Sequence, residues 1–79
     1  MSILVDKPKS ASYSDGNIVI LMESGERISF PVAACPRLRG QPESVLNDIE
    51  LSPFGLHWPQ ADEDLSIRGI LAGRYGAKS

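Results

Sequence analysis

A chain of 79 residues has room for one core and no second domain, and at that size it buries only about 60% of the surface its unfolded form exposes. Eight basic against ten acidic residues, a net charge of −2, exclude the clustered positive surface that a phosphate backbone demands, and 42% hydrophobic residues exclude a disordered polyanion. One Cys excludes an internal disulfide and fits a reducing cytoplasm, while MSILVDKPKS carries too short an apolar run for a signal peptide or a membrane span.

Ser10 to Ser14 reads as a short strand with Ala11 and Tyr13 on one side. Asp15-Gly16 then marks a tight hairpin, because Gly accepts the positive φ of a primed turn. Ile18 to Met22 is apolar at every position, the pattern of a central strand covered on both faces. Gly25 turns the chain into Arg27 to Phe30, where Ile28 and Phe30 face inward and Arg27 and Ser29 outward. Pro31 ends that strand, since it has no N–H to give to the ladder.

One helical turn is expected around Val32 to Cys35, in a connection closed by Pro36 and Gly40. Gln41 to Asn47 predicts a short helix with Pro42 at its first position and Glu43 favourable to its positive end. Asp48 to Leu51 alternates with Ile49 and Leu51 inward, and Ser52 to Gly55 is a turn. Leu56 and Trp58 then share the core face of a strand, with His57 on the other. The final helix has Ser66 as N-cap, a staple between Leu65 and Ile70, and Gly73 as its left-handed stop. Residues 74 to 79 read as a frayed tail.

These elements predict a single α+β domain over residues 1–79, with an ordered core from about 10 to 73. Its architecture is an antiparallel β-meander of three strands plus one or two short strands, with short helices packed on one side. Ile18 to Met22, Ile28, Phe30, Leu38, Val45, Leu46, Ile49, Leu51, Leu56, Trp58, Ile67, Ile70 and Leu71 form the expected core. The outer face of the second strand is available for a homodimer contact.

The segment Gly55 to Ser66, GLHWPQADEDLS, holds the only His, the only Trp and the consecutive acids Asp62, Glu63 and Asp64. A catalytic reading makes His57 a base oriented by a carboxylate. The chain offers no second His, no phosphate-cradling glycine loop and no nucleophile elbow to complete such a site. Zinc wants about four N or S ligands, and adjacent carboxylates on an extended segment cannot all face one hard cation, so no metal or cofactor is expected. The stronger reading is a structural corner, with Trp58 anchored in the core and Pro59 bending the chain away. Arg37 then pairs with the carboxylate of Asp62, Glu63 or Asp64 and ties the Pro36 corner to this segment. Cys35 is a small buried hydrophobe.

Three segments together resemble a known bacterial family of small α+β proteins of unknown function: Gly25 to Pro31, Pro36-Arg37-Leu38, and Gly55 to Gly73. The last runs G-x-x-W-P-x-x-D-E-D-L-S-x-x-G-x-L-x-G. The resemblance implies no established activity. It does imply a frequent genomic neighbour, in the manner of toxin–antitoxin pairs, and a helix-turn-helix in longer members. Two departures bear on it. Ala34-Cys35 stands where the family commonly has aromatics, and the chain ends just past the last motif, which leaves no room for a helix-turn-helix.

The functional expectation is therefore a non-catalytic protein-interaction module, the antitoxin-like or regulatory half of a two-gene pair. Its partner is a protein from an adjacent gene, met by an acidic surface at Asp62 to Asp64; neither nucleic acid nor membrane is involved. The candidate residues are Arg37, His57, Trp58, Asp62, Glu63 and Asp64. The alternative is a small enzyme or ligand-binding protein that uses His57, Asp62 and Asp64 at a dimer interface.

Overall fold

Asp15 and Gly16 both adopt positive φ, 51° and 88°, the pairing of a primed two-residue turn whose twist matches the strands it joins. The turn links β1 (Pro8–Ser14) to β2 (Asn17–Met22), and a second turn with Gly25 at φ 96° leads to β3 (Arg27–Pro31). All of this belongs to a computed structural model that describes residues 6–74. The MSILV start and the tail from residue 75 onward lie outside the described residues.

The first sheet is antiparallel in the order β1-β2-β3. Its register sets Ala11 opposite Ile20, Ile20 opposite Ile28, and Ile18 between Tyr13 and Phe30. Side chains alternate along a strand, so these six share one face, and Ile18, Ile20, Met22 and Phe30 on it are buried. The other face carries Ser10, Ser12, Val19, Leu21, Arg27 and Ser29. Within this chain β2 is thus covered on one side only, with Val19 and Leu21 half-buried. The uninterrupted apolar run had predicted cover on both.

After β3 a single 3₁₀ turn, Val32–Ala34, carries the chain to Cys35 and Leu38, both fully buried. α1 (Glu43–Leu46) starts one residue later than the sequence predicts. Pro42 is its extended N-cap at φ −70°, ψ 160°, not its first helical residue; either position spares the N–H that proline lacks. The Asn47 side-chain oxygen beyond α1 accepts the Tyr13 N–H at 2.8 Å and ties this segment to β1.

The second sheet is also a three-stranded antiparallel meander: β4 (Glu50–Ser52), β5 (Gly55–Trp58) and β6 (Glu63–Ser66), in that order. The α+β meander is as expected, and among the described residues the short strands number three, because the acidic run itself supplies β6. Leu51, Leu56 and Leu65 form one cross-strand row on the inner face. Leu56 and Leu65 are buried, but Leu51 is 41% exposed, against expectation, because it sits on a three-residue edge strand at the rim of the core.

α2 (Ile67–Leu71) follows β6 directly. Ser66 caps it as predicted, its Oγ accepting the Gly69 N–H at 2.9 Å. At the other end Gly73 takes φ 82°, and the Gly73 and Arg74 amides bond back to the Ile70 and Gly69 carbonyls at 3.0 and 2.7 Å. That paired closure satisfies carbonyls the helix leaves open. Ile67 and Ile70 are buried, whereas Leu71, predicted to join them, is 67% exposed. A five-residue helix buries only a narrow stripe, and Leu71 stands at its end, one residue further round.

Candidate functional site

The two-residue period of β5 and β6 decides where each candidate goes. Trp58 and Glu63 are cross-strand partners on the core face, and His57 and Asp64 are partners on the outer face. Asp62 precedes the strand at φ 54°, a left-handed position in the turn. Glu63 is thus turned into the core between Asp62 in the turn and Asp64 on the outer face, and the contiguous acidic surface expected at Asp62 to Asp64 does not form. Among the described residues Arg37 meets no carboxylate either: its Nη1 donates to the Asp62 backbone carbonyl at 3.4 Å. The Pro36 corner is tied to this segment as predicted, through backbone in place of an ion pair.

Trp58 is fully buried, and its indole N–H donates to the Leu46 carbonyl at 3.0 Å. One contact thereby fastens β5 to the end of α1 and satisfies both polar groups. Glu63 is the only charged residue among the buried ones described, at 8% exposure. Its Oε1 accepts the Asp64 N–H at 3.0 Å, and the Cys35 thiol donates to Oε2 at 3.5 Å. Burial, reinforced by that carboxylate, pushes the Cys35 thiol above its ordinary pKa. The group stays protonated and unreactive.

On the outer face His57 Nδ1 lies 2.6 Å from Asp64 Oδ1. Glu50, on β4, is the cross-strand partner of His57 on its other side, so one row reads Glu50, His57, Asp64 across three strands. The Asp64 hydrogen bond is the main cause of a raised His57 pKa; attraction from Asp64 and Glu50 adds to it and outweighs the opposing desolvation. Replacing Asp64 with Asn should lower that pKa toward its ordinary 6.5, read from the imidazole proton shifts in an NMR titration. For a histidine whose folded pKa is raised, the stabilisation is fully present below the unfolded value. It disappears as pH rises through the folded one. Asp64→Asn should therefore flatten the pH dependence of unfolding from about 6.5 upward.

Next to this pair is an open depression lined by Ser52, Phe54, Gly55, His57, Asp64 and Ser66. Phe54 is 73% exposed. It stands in the β4–β5 turn that Ser52 fixes by accepting the Phe54 and Gly55 amides at 3.3 and 3.1 Å. Among the described residues no group of three His, Cys, Asp or Glu is arranged to hold a metal ion. Glu50 and Phe54 are the residues that sequence reasoning missed. Pairing the Asp48–Leu51 alternation across the Ser52–Gly55 turn would have set Glu50 opposite His57, and a Phe between Pro and Gly in a tight turn is itself a signal of exposure.

Two three-stranded antiparallel meanders and two short helices, with Trp58 and Glu63 facing in and His57 and Asp64 facing out, define a small α+β domain. A family model described as "Protein of unknown function (DUF2442)" matches residues 8–76, and the chain belongs to that family. It is similar to the crystal structure of a protein of unknown function from Rhodospirillum rubrum, with 30% identity and a TM-score of 0.81 over 92% of this chain and 93% of that one. It is also similar to the solution NMR structure of an uncharacterised protein from Chromobacterium violaceum, with 27% identity and a TM-score of 0.79 over 90% of this chain and 69% of that one. Comparison with curated proteins gave no match. Among the described residues no helix is long and apolar enough to cross a membrane.

Proposed function

We propose that the chain is a non-catalytic protein-interaction module that engages its partner through the outer face of the second sheet. The observation that carries this reading is Phe54, an aromatic left 73% exposed at the edge of a depression that ends in the Asp64 carboxylate. A domain this small has few large apolar groups to spare, and an exposed aromatic beside oriented charge is the composition of a docking surface. The acidic surface suited to a basic partner is then the Glu50–Asp64 row, not Asp62 to Asp64. The family resemblance supports a partner encoded nearby, with this chain as the antitoxin-like or regulatory half of a two-gene pair. A buried lone Cys is in keeping with a reducing cytoplasm. The half-buried Val19 and Leu21 on the open face of the first sheet suit a homodimer contact.

The test is co-purification of the untagged neighbour from the native host by wild-type chain and by Phe54→Ala, with light scattering to weigh each assembly. The neighbour should elute with wild type and be lost from the variant. Failure to recover it with wild type, or equal recovery with both, would remove the reading. The alternative, a small enzyme or ligand binder, draws on the 2.6 Å His57–Asp64 contact, which orients the imidazole as a catalytic pair would. It is less well supported. Asp62 lies in the turn before β6 and does not line the depression, the depression is open, and the raised pKa favours an imidazolium over a base.

A further inference from the structure

We infer that the depression between Phe54 and Asp64 seats an arginine side chain of the partner. This rests on the interaction reading and names the chemistry by which the partner is held. Asp64 spends Oδ1 on His57, and its Oδ2 has no partner among the described residues. The Glu50 carboxylate on the far side of His57 has none either, so the row carries two negative charges against at most one positive. Gly55 lines the same depression as Phe54 and Asp64.

The two flanks of Phe54 differ, and the difference selects the side. On one, Asp6 and Arg68 line a second depression. There both Asp6 oxygens are already occupied, by the Ser24 amide at 3.0 Å and the Ser24 hydroxyl at 2.6 Å, and Arg68 supplies a cation of its own. On the other, a free carboxylate oxygen and an open aromatic ring border the same space, with the His57 ring as the only cationic group. The Asp64 side offers a guest cation an unoccupied carboxylate oxygen and the second negative charge of Glu50 in the same row, whereas on the other side Arg68 stands in the way of a like charge.

The choice of arginine over lysine follows from shape. A guanidinium is planar and weakly hydrated: it can lie against the Phe54 ring while an edge N–H donates to Asp64 Oδ2. An ammonium matches the charge and forgoes the stacked contact. At so open a site one side chain binds weakly, with a dissociation constant on the order of millimolar, and the rest of the partner supplies the remainder.

The experiment is an amide NMR titration of the full chain with N-acetyl-arginine methylamide and, separately, with the lysine analogue. Saturable shifts are expected at Phe54, Gly55, His57 and Asp64, at several-fold lower concentration for the arginine compound. Asp64→Asn and Phe54→Ala should each weaken the response several-fold, with circular dichroism confirming that each is folded. Ser12→Ala, on the open face of the first sheet, should leave it unchanged. Lowering the pH through the His57 pKa should weaken it too, as the imidazolium competes with the guest for Asp64. No saturable shift at those amides, or equal response to both compounds, would overturn the inference. A neighbour that co-purifies through Phe54 while arginine amide fails to bind would overturn the arginine seat and leave the interaction module standing. Arginine binding without co-purification would leave the depression a guanidinium site and overturn the neighbour-encoded partner as the source of that arginine.

Discussion

Trp58→Ala is expected to cost about 3–5 kcal/mol, the usual loss when a fully buried aromatic is truncated. For a domain of this length total stability is on the order of 4–12 kcal/mol, so the variant loses a large share of what holds it folded. The indole is the largest of the fully buried side chains, and its N–H is the tie between β5 and the Leu46 carbonyl at the end of α1. Truncation leaves a cavity where the second sheet meets the helix and strands that carbonyl without a donor. Trp58→Phe separates the two losses. It keeps most of the apolar volume and removes only the donor, for about 1–3 kcal/mol. Urea unfolding followed by far-UV circular dichroism measures both, since the chain has no other Trp to report by fluorescence. A midpoint for Trp58→Ala equivalent to less than about 1 kcal/mol of loss would mean that the indole does not hold the second sheet to α1.

What could be read in advance was whatever a few neighbouring residues decide among themselves. Asp15-Gly16 fixes its own turn, and Ser66 with Gly69 fixes its own cap. The alternation of Leu56, His57 and Trp58 gave their faces correctly. Three features were hidden because distant chain or the reach of an element determines them. Glu63 looks like part of a solvated acidic run, yet β5 pairing turns it inward, where Cys35, 28 positions away in sequence, offers it a donor. Leu51 and Leu71 have the right period for the core and lie where the strand and the helix run out. Arg37 was matched to the right segment and the wrong atom, because the Asp62 turn presents its carbonyl toward the corner.

The same pairing explains why a buried and an exposed acid–partner couple can exist one residue apart. β5 and β6 interleave them: Trp58 with Glu63 facing in, His57 with Asp64 facing out. The inner residues are fully partnered, with every buried side-chain polar atom among the described residues satisfied. The outer one keeps a free carboxylate oxygen and a titratable ring. Stability and the proposed docking face thus fall on alternate residues of the same two strands, and whatever disturbs their spacing should damage both.

Gly55→Ala is the substitution that does so. A Cβ there would run into the Leu65 carbonyl oxygen and sit 2.9 Å from the Ser66 Cα. These are backbone atoms, and no rotamer change can clear them. β6 must back away from β5, which loosens the Leu56–Leu65 and His57–Asp64 pairings and the 2.8 Å bond from the Ile67 N–H to the Phe54 carbonyl. Overpacking ordinarily costs about 1–3 kcal/mol, and with main chain as the obstacle the expected loss is at or above the top of that range. Gly25→Ala is the control: its Cβ would meet nothing within 4 Å, and the cost is only that of holding a non-glycine residue at φ 96°, about 1–2 kcal/mol. The two variants separate most clearly at the site. In Gly55→Ala, withdrawal of Asp64 should bring the His57 pKa down toward 6.5, whereas in Gly25→Ala the titration should match wild type. If Gly55→Ala unfolds at the wild-type urea midpoint with an unchanged His57 titration, the close approach of β5 and β6 is not what holds the site together.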